Sequence, residues 1–353
     1  MSGQPTAWQR VPREVRRSLV ASWGSGVPSL VSALHGRWWQ LECWLRSLVH
    51  VEMGARYADS WVDSLPPQVV KRATDDAGQR YMAGPEAGVG YLVSYLDVSD
   101  LFDLFEREWP LFSYALPPRD AWAGRVRELR TIRHRIAHCR LPHRDDLGRL
   151  LQTLRDLEHG AHRACASFNT HEFADDMPHD PVARAWGRPR EPERQRLIEH
   201  AERSYDTRFF LKWSRRPWVA ATVPRRGRVS GVPGCLWHAV FMFRGQSIDP
   251  IALWDDYYLD QVRDHVLLIR FSASRVEVAF AATVKPATVI DSIDAIFEAV
   301  LSRSNYASER LFEVFYDPVR AASMLLPPKL HVGSPWALVD DSPGTPSIFD
   351  ASP

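Results

Sequence analysis

Between residues 28 and 61, side chains recur at alternating steps of four and three: Leu34, Trp38, Leu41, Leu45, Leu48 and then Glu52. The five apolar ones form a single stripe on a helix. Pro28 stands where the first turn of a helix accepts proline, and Pro66-Pro67 closes the segment. A second helix is predicted from about Ser99, carrying Leu101, Phe102, Leu104 and Phe105 and ending before Pro110. Asp120 reads as the N-cap of a third, with Trp122, Val126, Leu129 and Ile136 toward the core. A fourth starts near Asp145 and aligns Leu147, Leu150, Leu151, Leu154, Leu157, Ala161, Ala164 and Phe168.

The texture then changes. Residues 172–192 hold Pro178, Pro181, Pro189 and Pro192 with few large apolar side chains, which predicts a linker. A short helix follows over 192–203. Segments 207–213, 218–223, 236–243, 266–271 and 276–282 are short and rich in aromatic and β-branched residues, so they read as strands. The last two are joined by a hairpin. Residues 286–303 return to helical period. The Pro-rich stretch 327–353 predicts a disordered tail. The expected fold class is a two-domain α+β protein, an N-terminal all-α helical bundle followed by a smaller α+β domain. The expected divisions are 12–170 (helical), 171–194 (linker), 195–326 (α+β) and 327–353 (tail).

The chain has 353 residues, 45% apolar and 25% charged, which is ordinary soluble composition with room for two cores. The net charge of +1 excludes nothing. Only Lys71, Lys212, Lys285 and Lys329 are lysines, so Arg is the default cation and a lone Arg marks no site. Cys43, Cys139, Cys165 and Cys235 are dispersed without zinc spacing, which predicts reduced thiols and no metal. Met1 to Arg17 lacks the apolar core of a signal peptide. No apolar run reaches membrane length, so a cytoplasmic protein without a membrane partner is expected.

The chemistry concentrates in Arg133-His134-Arg135-Ile136-Ala137-His138. RNA can be cleaved by its own 2′-hydroxyl without metal or cofactor. The reaction needs a base for the 2′ proton, an acid for the leaving 5′ oxygen and positive charge for the phosphorane. Histidine serves either proton role near neutrality. Arginine offers a permanent cation whose planar fork fits phosphate oxygens. His134 and His138 are i,i+4 and share a helix face. Arg133 and His138 are i,i+5, about 140° apart around a regular helix. They converge only near a helix end, at a kink or across a dimer, and Leu141-Pro142 favours an end close by.

This segment resembles the R-x4-6-H signature of the HEPN superfamily, in wording closest to its Abi-like, abortive-infection branch. The stretches 39–49, 95–101 and 109–112 resemble the first long helix and middle section of that branch. The likeness covers roughly residues 30–165. It implies a ribonuclease of a toxin–antitoxin or antiviral defence system, acting as a homodimer through the helical domain. It implies Arg133 and His138 as the catalytic pair and His134, at a position more often Asn, as part of the site. RNA is then the substrate, and an antitoxin or other defence protein is a possible partner. The alternative is a HEPN domain that binds RNA or dimerises without cutting.

Glu42 and Arg46 read equally as a surface ion pair or as support for the motif, with Glu42 orienting Arg133 or a histidine. Arg130 belongs with them as a supporting residue. Residues 121–149 hold eight Arg against Glu128, Asp145 and Asp146, an excess suited to phosphate. Arg140, Arg144 and His143, in the loop after the motif, are candidate RNA contacts, and a solvated loop explains them equally well. From Thr207 to Ile248 there is no acid, and Trp213, Trp218 and Trp237 lie among eight basic residues, Arg208, Lys212, Arg215, Arg216, Arg225, Arg226, Arg228 and Arg244. The tryptophans read as core, whereas Arg225, Arg226 and Arg228 read as further RNA contacts. Residues 195–326 resemble no family that we recognise.

Overall fold

The computed structural model describes residues 13–79, 92–187, 191–220, 227–244, 246–248, 253, 256–272, 274–306, 337–340 and 349. It is a two-domain α+β protein, with a helical N-terminal half and a sheet-based C-terminal half. The helical half comprises α1 (Arg13–Gly24), α2 (Ser29–Tyr57), α3 (Pro67–Gly78), α4 (Val98–Arg107), α5 (Arg119–Ala137) and α6 (Asp146–Ala166). A one-turn helix, Trp109–Phe112, sits between α4 and α5. Among the described residues, no helix is long and apolar enough to cross a membrane.

The stripe on α2 is buried as its period predicts, from Leu34 through Leu48. Glu52, sixth in that series, is also fully buried, which puts a carboxylate in the core. The end of α4 before Pro110 is as expected, and the Asp100 carboxylate accepts a bond from the Asp97 N–H at its start. The start of α5 differs from expectation. Its N-cap is Pro118, and Asp120 lies inside the first turn. Helix α6 carries Leu150, Leu154, Leu157 and Ala161 inward. At Gly160 it comes so close to the carbonyl of Ala115 that a Cβ would collide with backbone. Gly160→Ala is therefore expected to cost about 1–3 kcal/mol, read as a lower urea midpoint.

The C-terminal half is a six-stranded sheet in the order β1-β2-β3-β6-β5-β8. The strands are β1 (His171–Phe173), β2 (Thr207–Arg215), β3 (Cys235–Phe243), β5 (Val266–Ser272), β6 (Arg275–Ala281) and β8 (Ala337–Asp340). All neighbours are antiparallel except β5 and β8. A separate pair joins β4 (Gln246–Ile248) to β7 (Ser304–Tyr306). Helices α7 (Pro192–Tyr205), α8 (Tyr257–Val262) and α9 (Pro286–Arg303) complete this half. One sheet face packs on α9, where Phe297 stacks on Trp186 at 5.2 Å and lies 5.2 and 5.0 Å from Phe209 and Phe241. Part of the other face packs on the helical half, with Leu236, Leu268, Ala279 and Ala281 against Val51, Ala55 and Phe168.

Three expectations need correction. The stretch 171–194 is not a bare linker: its first residues form β1 on the sheet edge, and Val182, Ala183 and Trp186 are buried. Trp186 and Val182 hold it down by hydrophobic burial, which a scan for large apolar runs underweights. No strand forms at 216–220, where the Val219 N–H donates to the Arg216 carbonyl in a turn, and residues 221–223 lie outside the described residues. The expected tail is partly placed: β8 pairs with β5, and Phe349 is buried with its ring 5.7 Å from that of Trp44. The remaining tail residues lie outside the described residues.

Candidate functional site

The motif occupies the last turns of α5 and its exit. The Arg140 N–H donates to the Arg135 carbonyl at 2.9 Å, and the Cys139 N–H to the Ile136 carbonyl at 3.2 Å. With Cys139 at φ 49°, this is a Schellman cap. It halts the helix so that His138 is the C-cap residue, at φ −100° and ψ 19°. The left-handed position favours glycine, because a Cβ crowds the next carbonyl. Cys139→Gly is expected to raise stability by about 1 kcal/mol, seen as a higher urea midpoint at unchanged slope.

The exit loop is fastened to α6. Buried Asp146 accepts hydrogen bonds from Arg135 Nε at 2.7 Å and from the His143 N–H at 2.9 Å. Burial alone would raise the Asp146 carboxyl, but these donors outweigh it and hold it below its ordinary value. Arg135 is thus a positioning group for the loop.

The imidazoles of His134 and His138 lie 4.5 Å apart, tilted at 63°, and both residues are exposed. Desolvation, then the charges of Arg140 and His138, hold the His134 imidazole below its ordinary value. Arg133 is half-buried. Among the described residues, Arg127, Arg133 and Arg140 form no ion pair, and no hydrogen bond joins Arg133 to His134 or His138.

The other basic residues of this stretch are already engaged. Arg125 binds Asp156 at 2.7 Å, Arg149 binds Glu128 at 3.0 Å and Arg130 binds Asp103 on α4 at 2.6 Å. Arg144 is largely exposed and lies 3.7 Å from Asp145. The acids are spent on these partners, so the open end of α5 carries two imidazoles and unpaired guanidiniums. An anion with several oxygens, such as a phosphodiester, matches that arrangement.

The supporting residues fall elsewhere. The Glu42 carboxylate accepts from Trp38 Nε1 at 2.6 Å and from Arg46 at 2.5 Å. Arg46 also donates to the Leu96 carbonyl at 3.1 Å. These bonds hold Glu42 on α2, and among the described residues no hydrogen bond joins it to Arg133, His134 or His138. Arg130 likewise ties α5 to α4. Arg225 and Arg226 lie outside the described residues, and Arg228 is exposed. Trp213 and Trp237 are core as expected, while Arg216, counted among the basic residues around them, is buried against Glu52. Sequence reasoning gave no role to Asp146 or to the Cys139 turn. The spacing of Arg135 from Asp146 carries no pattern that would have marked the pair.

Among the described residues, no three His, Cys, Asp or Glu side chains gather as a metal site. No curated protein and no solved structure matches the chain significantly. The likeness to the HEPN superfamily is supported over the helical half, and the finer Abi-like placing is not confirmed. A family model described as Swt1-like HEPN matches residues 39–159, from within α2 to within α6.

Proposed function

We propose that the helical domain is a metal-independent endoribonuclease of the toxin or phage-defence kind, with its site at the open end of α5. The observation that carries this reading is the exposed His134–His138 pair at 4.5 Å, within reach of the charge of Arg140. In this reading His134 removes the 2′-hydroxyl proton. The 2′ oxygen then forms a bond to phosphorus, the bond to the 5′ oxygen breaks, and His138 supplies that oxygen with a proton. The products are a 2′,3′-cyclic phosphate and a 5′-hydroxyl. Arg133 and Arg140 hold the non-bridging oxygens. Arg133 and His138 sit on different sides of the helix, so a second copy of the chain facing the first is what completes each site.

The pH dependence of cleavage by the purified protein in EDTA tests the role of His134. A base works while it is neutral, and the His134 imidazole is held below its ordinary 6.5. Protonation of His134 should therefore slow cleavage only below pH 6.5. The drop should vanish in His134→Ala, on a much lower rate. An acid limb above pH 6.5, or one unchanged in His134→Ala, contradicts the assignment. RNA binding without cleavage would instead support the non-catalytic alternative.

A further inference from the structure

The far end of the sheet, on the face that the helical half covers only in part, has no role in the reading above. Cross-strand register sets Phe173 opposite Lys212, Phe210 opposite Val240, and Arg208 opposite Met242, which in turn faces Arg275. Directly opposed residues point to the same side of a sheet. These side chains therefore share one face, and toward this end it opens. Phe173 is 55% exposed and Met242 42% exposed, although both are large and apolar. The Phe173 and Phe210 rings meet edge to face at 5.8 Å, and the Lys212 ammonium lies 4.9 Å from the Phe173 ring centre.

The charge on this face is positive. One buried carboxylate, Glu277, meets His238 at 2.9 Å, Arg275 at 3.0 Å and Arg270 at 3.3 Å. Lys212 stands in the field of Arg270 and Arg275 and, among the described residues, forms no hydrogen bond or ion pair of its own. Its ammonium is held below the ordinary value by burial, then by Glu277 acting the other way and by those two guanidiniums. An anion placed beside Lys212 would relieve this repulsion.

A sheet face with an exposed aromatic ring, a second ring behind it and a cation alongside fits one class of macromolecule. Bases stack on the rings and the backbone phosphate meets the cations. We infer that this end of the sheet is a binding platform for single-stranded RNA, in which a base stacks on Phe173, with Phe210 behind it, and the adjoining phosphate sits between Lys212 and Arg275. The platform goes beyond the cleavage site and does not require the helical domain to cut.

The test uses the full-length chain with His138→Ala as the common background, so that bound RNA stays whole. Binding of a fluorescent twelve-nucleotide oligouridine is followed by anisotropy across a salt series. Adding Phe173→Ala should weaken binding about tenfold, since stacking on one ring is lost. Adding Lys212→Gln should flatten the dependence of log affinity on log salt by about 0.7, the share of one phosphate contact on a single strand. Phe173 is mostly exposed, so the variants should keep the parent circular dichroism spectrum. Ultraviolet crosslinking should attach uridine to the strand peptides holding Phe173 or Phe210. The platform is overturned if both variants bind as the parent does, if crosslinks fall only in the helical half, or if duplex RNA competes as well as single strands. Failure of the cleavage reading appears separately, as intact RNA with the unmutated chain.

Discussion

His138→Ala should slow RNA cleavage by about 100- to 10,000-fold, the range in which a positioned acid or base acts. The side chain is exposed at the C-cap of α5, with no hydrogen bond from the ring among the described residues, so stability should move by less than about 0.5 kcal/mol. Loss of activity with an unchanged melting curve separates chemistry from folding. In cells, expression of the unmutated chain should arrest growth with RNA breakdown, and His138→Ala should not. Equal rates for the two proteins would remove His138 from the reaction.

Arg216→Ala should have the largest effect on stability, roughly 3–5 kcal/mol, because it leaves a buried carboxylate without its cation. Arg216 and Glu52 are both inaccessible to solvent and tie the sheet half to α2. Arg216 Nε lies 3.1 Å from each Glu52 oxygen, and the guanidinium also donates to Tyr114 at 2.8 Å and to Ser167 at 2.9 Å. Trp218 donates to Glu52 at 2.7 Å, and the guanidinium sits 4.3 Å over the Phe168 ring. Burial opposes the charge on Arg216, but Glu52 and Tyr114 overcome this and hold it protonated. A buried pair is costly to break and cheap to replace whole. Glu52→Leu together with Arg216→Leu should therefore melt above Arg216→Ala alone. Calorimetry reads both, and an Arg216→Ala protein that melts like the parent contradicts the account.

The helices were legible because their signals are local. The stripe from Leu34 to Leu48, the stop before Pro110 and the inward face of α6 each follow from spacing within one segment. The strands around residues 207, 236, 266 and 276 were legible for the same reason. Arg133, His134 and His138 could be named from the sequence, and the helix end near Leu141-Pro142 could be anticipated. The reason the helix ends at His138, a left-handed Cys139, could not, because cysteine carries no such preference.

Pairings across long stretches of chain left no trace in the pattern. Glu52 continued a helical stripe, but nothing marked Arg216 as its partner 164 residues later. Arg216 looked like one more cation in a basic run until its burial was seen. Glu42 was open to two readings, and the sequence did not show that Trp38 and Arg46 both donate to its carboxylate. Phe349 lay in a stretch whose prolines predicted disorder, yet Arg37 donates to its carbonyl at 2.8 Å and its N–H donates to Glu158 at 3.2 Å.

Analysis of the RNA ends left by the purified protein in EDTA tests the central claim most directly. Transfer to the 2′ oxygen, driven by imidazoles at the tip of α5, must leave 2′,3′-cyclic phosphate and 5′-hydroxyl termini, and these should disappear in His138→Ala. Fragments bearing 5′-phosphate and 3′-hydroxyl ends, or cyclic ends that persist in His138→Ala, would contradict it.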